Sequence, residues 1–350
     1  MINYIIFLMI PTMIAYFSNQ KQIYKTQSWF LIFLFLLFLS TFRYLIGSDQ
    51  GDYHFTYMQY YYYFIDFKVS PFPNYELMYS LIEMISNKLK LGFQGVNFFC
   101  AVIYLTGLVL LIKNEKMNWL CLFLSLPYFY FAVSWGYLRQ GLSLGFIFLS
   151  IFFYKKKSYY FLILSLILSA LSHKFAIIFA PVLIYALVKK SSHKIFLLVL
   201  SIIMILSISY YIIIIDDSYL KQFITDVPES YTSKGAILRS SMSFIVAILF
   251  FLSLKFMRQY EDYKLYFNIS IITTLLLPLS FVFPIPATRI GVFFGLIQFV
   301  ILPRIIDNFD DYKRKVLISF IMAIYLFVFL IWLNYSPQKE LWVPFKFSFQ

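Results

Sequence analysis

An all-α bundle of membrane-spanning helices is the fold class this sequence predicts, and three observations predict it. Hydrophobic residues make up 61% of the 350 and charged residues only 13%, where soluble domains hold about 45–50% and about 25%. The apolar residues gather in long runs near the ~20 residues that a membrane span needs. Lys and Arg, finally, concentrate in every second connection, as the positive-inside rule requires of a polytopic chain.

The runs, in chain order, are 2–18, 28–45, 93–112, 119–136, 138–154, 158–172, 175–188, 195–215, 240–257, 265–283, 287–306 and 316–333. Twelve spans result if all cross; the shorter ones around 138–188 also fit tilted or re-entrant segments, so ten to twelve are expected. Ile2 to Phe17 has no basic residue ahead of it and no small-residue cleavage site behind it, and reads as a first membrane helix rather than a signal peptide. The whole of 1–350 is expected to form a single integral membrane domain.

With the N-terminus outside, the inner connections carry Lys21 and Lys25, Lys113 and Lys116, Lys155 to Lys157, and Lys189, Lys190 and Lys194. Further on come Lys255, Arg258 and Lys264, then Arg304 and Lys313 to Lys315. These are seventeen basic residues against six acidic, leaving twelve against ten outside. A net charge of +13 would otherwise suggest nucleic acid, but the excess falls on one membrane face, and no nucleic-acid partner is expected. Both long loops, 46–92 and 216–239, then lie outside. Within the first, Tyr75 to Leu91 is amphipathic: Leu77, Met78, Leu81, Ile82 and Ile85 share a face while Glu76, Glu83 and Lys90 lie elsewhere. That pattern suits an interfacial helix, a cavity cap or a short loop helix packed on the bundle.

Soluble-enzyme motifs are missing: there is no Gly-rich nucleotide loop, no His pair beside a Glu and no nucleophile elbow. His54, His173 and His193 are far apart, and Cys100 and Cys121 sit in apolar runs as small core residues, so neither a metal nor a cofactor is expected. What remains is charge at the outer ends of helices. Arg43 ends the second run, Arg139 opens the fifth, His173 and Lys174 join the sixth and seventh, Arg239 precedes the ninth and Arg289 opens the eleventh. Ionisable groups at membrane depth are costly and point to function, though each fits equally an anchor snorkelling to headgroups.

Arg139 and Arg289 share the pattern Arg-x-Gly-x-x-x-Gly at the start of an inward-running helix. Free amides, the positive helix end and an Arg fork together describe a phosphate or diphosphate cradle. The pairs Gly141/Gly145 and Gly291/Gly295 describe equally well a small-residue packing face. Asp49, Asp52, Tyr53, His54, Tyr57 and the run Tyr60 to Tyr63 add carboxylates and flat rings, which suit sugars and equally an aromatic belt.

These residues, in order and spacing, resemble the EpsG/Wzy-like polysaccharide polymerases over nearly the whole chain. The resemblance is carried by Arg43 running into Gly47-Ser48-Asp49, Tyr137-Leu-Arg-Gln-Gly-Leu-Ser-Leu144, Ala170-Leu-Ser-His-Lys-Phe-Ala176, the Arg289 helix and the aromatic tail Leu341 to Phe347. The family places an aromatic directly after the loop Asp, whereas here Asp49 is followed by Gln-Gly-Asp52-Tyr53, so both Asp residues are candidates. The resemblance implies a bacterial inner-membrane, GT-C-like glycosyltransferase with an outer-face cavity. Its expected task is to build O-antigen, capsule or exopolysaccharide by moving a growing glycan from undecaprenyl diphosphate to the non-reducing end of an incoming lipid-linked unit. Membrane lipid, a flippase and a chain-length regulator are the implied partners.

On this reading Arg139 and Arg289 hold the diphosphate with Arg43 or Arg239, His173, Asp49 or Asp52 is the base, and Tyr53 and Tyr57 touch sugar. The rivals are a lipid-linked oligosaccharide flippase, a glycan ligase and a non-catalytic partner of a glycan-assembly complex. A flippase predicts polar residues near the helix centres, and here the charges gather at helix ends.

Overall fold

Eleven of the twelve apolar runs are helical in the computed structural model, which describes residues 1–21, 25–47, 51, 54, 57–58, 76–187, 235–282, 284–336 and 338–348. The run 195–215 and most of the loop 216–239 lie outside the described residues. The helices are α1 (Ile2–Lys21), α2 (Lys25–Phe42), α3 (Leu77–Lys88), α4 (Gly92–Ile112), α5 (Asn118–Ser125), α6 (Leu138–Lys155), α7 (Tyr159–Ser172), α8 (Phe179–Leu187), α9 (Ala236–Leu252), α10 (Tyr263–Val282), α11 (Pro284–Phe294), α12 (Ile297–Ile306) and α13 (Asp311–Tyr335). The described residues contain no strand, only an isolated antiparallel bridge between Arg43 and Phe347. α1, α2, α4, α10 and α13 are each long and apolar enough to cross a membrane, and α11 with α12, bent by 53°, makes a sixth when counted as one broken span. The protein is an all-α polytopic membrane protein.

The chain forms two compact units, Met1–Lys174 with Pro303–Gln350, and Phe175–Leu302. In the first, α4 and α6 pack most closely because glycine lets their backbones meet. A Cβ at Gly145 would stand 2.7 Å from Tyr104 Cα, and one at Gly107 2.3 Å from the Gly145 carbonyl. Here the packing-face reading of Gly141 and Gly145 holds. α7 returns antiparallel to α6, and its register is pinned where Ser143 and Ser169 exchange hydroxyl-to-carbonyl bonds of 2.9 Å. In an apolar medium such paired hydroxyls are favoured over unsatisfied ones.

α5 runs on into ten residues of π-helix, Leu126–Trp135, with Pro127 at its start. Its wider turn brings Trp135 and Tyr130 onto the end of α2. The Trp135 indole donates to Ser40 Oγ at 3.0 Å, and Ser40 and Tyr130 share a 2.9 Å bond. The tail then folds back over the same end. Trp342 O accepts from the Tyr4 hydroxyl at 2.7 Å, Tyr44 N–H donates to Lys346 O, and Gly47 N–H donates to Leu341 O. Gly47, at φ +129°, passes so close to Trp135 O that a Cβ would lie 2.6 Å away, which only glycine tolerates.

At the basic end of this unit Glu115 is enclosed. Arg304 holds it by two bonds, of 2.8 and 2.7 Å, and Lys155 by one of 2.9 Å. Burial would raise the Glu115 pKa, but the Arg304 bonds and charge, with Lys155, outweigh it and hold the carboxyl below its ordinary 4.5. α13 starts with Asp310 as N-cap, accepting from Lys313 N–H at 3.0 Å. In the second unit, α9, α10 and α11 pack together, and Gln298 donates to Ser243 Oγ at 2.7 Å.

Candidate functional site

Arg139 is the second residue of α6, where the first-turn amides have no side-chain cap from Tyr137. Its guanidinium reaches Glu76 Oε2 at 2.6 Å, and 29% of its side chain stays exposed. Glu76 stands at the N-cap of α3 and makes no cap of its own, which leaves its carboxylate to Arg139. His173 closes α7 in extended conformation, buried, with its N–H on Ser169 O. Since Ser143 and Ser169 are paired, Arg139 and His173 each lie four residues, about 6 Å, further toward the same end of the unit. Arg139, Glu76 and His173 therefore occupy one level.

Two aromatic residues of the loop fall beside that level. Tyr57 is buried, its ring 5.8 Å from Phe93, in a cluster with Cys100, Leu138 and Leu142, while His54 meets the Phe93 ring edge-on at 5.4 Å. Asp49, Asp52 and Tyr53 lie outside the described residues.

Arg43 is 2% exposed, bonds the protein through its two terminal nitrogens and keeps a buried Nε with no partner among the described residues. It bonds Ser40 O, Asn97 Oδ1 at 3.1 Å and Trp135 O at 3.4 Å, and lies 5.5 Å from the Trp135 ring centre, a cation–π geometry. It ties the end of α2 to α4 and the π-helix.

The second unit holds the other two arginines. Arg239, the fourth residue of α9, reaches Thr288 Oγ1 at 3.4 Å, next to Arg289. Arg289 does not open its helix, as the pattern predicts, but is the sixth residue of α11. The first turn there is Pro284-Ile-Pro-Ala287, and proline has no N–H, so Ile285 and Ala287 alone offer amides. The two Arg-x-Gly-x-x-x-Gly segments thus share letters without sharing geometry. A Cβ at Gly291 meets nothing nearer than Leu276 at 3.9 Å, so close packing does not explain that glycine.

Sequence reasoning missed Glu83. It is fully buried under α3 together with Ser80, Ser86 and Asn87, while Leu77, Leu81 and Ile85 are exposed. The helix is turned the opposite way from a soluble one. A polar face on a loop helix of a membrane chain was the signal for this, because in lipid the polar side turns inward. Among the described residues no three His, Cys, Asp or Glu side chains gather as a metal site would require. A groove of about 330 Å³ between α2 and α4, lined by Lys25, Trp29, Phe33, Val109 and Lys113, opens at the basic end, away from Arg139.

An all-helical bundle of membrane-spanning helices, with Arg139, Glu76 and His173 at one level of its first unit, is the class of protein these features define. Residues 26–347 match the EpsG family, and the chain belongs to it. The family is one of polysaccharide polymerases with glycosyltransferase-like activity. Neither the curated proteins nor the solved structures contain a match to this chain.

Proposed function

We propose that this polymerase joins oligosaccharide repeat units carried on undecaprenyl diphosphate at the outer leaflet of the bacterial inner membrane. The growing glycan passes to the non-reducing end of an incoming unit. The bond from the anomeric carbon to the diphosphate oxygen breaks, a bond from that carbon to the acceptor oxygen forms, and the acceptor proton goes to a base. The observation that carries this reading is the level shared by Arg139, Glu76 and His173. An Arg fork at uncapped helix amides stabilises the charge that grows on the leaving diphosphate. His173 stands one helix away, where it can serve as base; Asp49 and Asp52 hold the same candidacy. Tyr53 is assigned to sugar, and Arg239 and Arg289 are assigned to phosphate, whereas Arg43 and Tyr57, each 2% exposed, are buried in the protein and are withdrawn from ligand contact. The lipid diphosphate bond supplies the driving force, so no nucleotide is needed.

The test is a gel of surface glycan from a deletion strain complemented with wild type or Arg139→Ala, with membrane levels of the protein matched. Loss of the long ladder with a single repeat unit still on its final acceptor is the expected result. Loss of the single unit as well would replace this reading with flippase or ligase. An unchanged ladder would remove Arg139 from the site.

A further inference from the structure

We infer that α3 is a membrane-embedded half-helix whose Leu77, Leu81, Ile85 and Leu89 stripe is covered by the acyl chains of one leaflet. Three observations carry this. First, α4 has 21 residues, about 31 Å of helix, which matches the ~30 Å hydrocarbon core, so its first residue stands at headgroup level. Second, α3 lies against the first half of α4. The turn at Lys90 and Gly92, both left-handed, folds the two helices back to back, and Tyr79 and Ile82 join Phe93, Val96 and Cys100 in one cluster. Contact is so close that a Cβ at Gly95 would lie 2.2 Å from Ser86 Oγ. Twelve residues of α3 cover about 18 Å, all within the depth that α4 spans.

Third, the charge and apolar patterns match a leaflet. Leu77, Leu81, Ile85 and Leu89 recur every four residues on the exposed side, while Ser80, Glu83, Ser86 and Asn87 are buried by protein. Lys88 and Lys90 are exposed at the α4-start end, where headgroup phosphates lie. A helix floating on the surface would keep its polar face in water; this one seals it against the bundle and offers the leucines. The stripe continues the lipid-facing surface of α4, where Phe98 is exposed. α3 thus re-enters the membrane. Glu76, at the deep end of α3, meets Arg139, whose neighbour Leu138 packs in one cluster with Cys100, eight residues or about 12 Å along α4 from its start. The inference rests on the membrane class of the fold and is independent of the polymerase reading.

The test places nitroxide labels at Leu77→Cys, Leu81→Cys and Ile85→Cys in protein reconstituted into nanodiscs of phosphatidylethanolamine and phosphatidylglycerol. Lys116→Cys, whose side chain is 74% exposed, is the water reference. Oxygen should relax all three labels several-fold more, relative to a nickel chelate, than it does at Lys116, and the preference should rise from Ile85 through Leu81 to Leu77. Nickel access equal to that at Lys116 would overturn the proposal, and so would exclusion of both reagents, which would mean a protein cover. Wild-type protein in nanodiscs bearing a diazirine in the lipid acyl chain gives a second measurement free of any substitution. Cross-links on the peptide 77–91 are expected; their absence, with cross-links present on 92–112, would overturn the proposal.

Discussion

At the basic end of the first unit, Glu115 and Arg304 have side chains 7% and 5% exposed and meet in a forked pair that Lys155 closes. At the opposite end Arg139 also meets a carboxylate, Glu76, but stays 29% exposed. Both are Arg–Glu contacts of similar length, and their settings give them different consequences. A pair sealed from solvent cannot exchange partners without leaving a bare charge in a low-dielectric interior. A half-open pair can hand its Arg to another anion at modest cost. Charge at one end holds the fold, and charge at the other is where the proposed site lies.

The strongest way to break that contrast is Arg304→Met, expected to destabilise the protein by about 3–5 kcal/mol because Glu115 loses its forked partner while buried. Thermal unfolding in detergent measures it. Arg139→Met should cost less in the same assay, about 1–3 kcal/mol, because Glu76 is 11% exposed and left without that partner, and it is expected to remove the polymer ladder. Equal losses at both ends would erase the distinction.

Next in size is Gly145→Val, for which overpacking against the Tyr104 backbone should cost about 1–3 kcal/mol. The structural character of the basic end also sets a pH dependence. Glu115 titrates below its ordinary 4.5 in the folded protein. Its contribution is therefore complete above that ordinary value and lost as pH falls through the depressed one. Unfolding of wild type should turn steeply easier below pH 4.5, and Glu115→Gln should flatten that slope. The smallest effect expected is at Gly291→Ala, a stabilisation of no more than about 1 kcal/mol, since alanine favours helix and the site has room. Measurable destabilisation there would mean that the second Arg-x-Gly-x-x-x-Gly segment is packed as tightly as the first.

The helices were legible because each is a continuous apolar run, but of the ten to twelve spans expected, five helices among the described residues, or six with the bent pair, are long and apolar enough to cross. The level shared by Arg139 and His173 was legible only as two separate helix ends; the Ser143–Ser169 pairing that aligns them joins residues 26 apart, and nothing local announces it. Glu115 and Arg304, 189 residues apart, were counted as loop charges, because sequence shows sidedness and not partnership. Arg289 was misplaced since the pattern marks the Arg and says little about where the preceding Pro284 and Pro286 start the helix. The π-helix at 126–135 carries the same apolar letters as an α-helix, so its altered phase was invisible. α3 was legible as amphipathic but not in its direction, which depends on whether water or lipid lies outside.

The tail that folds over Arg43 has a consequence in time. Tyr4 and its acceptor Trp342 are 338 residues apart, and at translation rates of 5–20 residues per second the later one follows by roughly 20–70 s. During that interval α1 and α2 are in place while the groups that finish them, Leu341 O and Lys346 O, have yet to be made. The backbone N–H groups of Tyr44 and Gly47 at the end of α2 wait that minute for their acceptors. A nascent chain stalled before residue 341 therefore lacks the acceptors of Tyr44 N–H, Gly47 N–H and the Tyr4 hydroxyl, and a finished one has them.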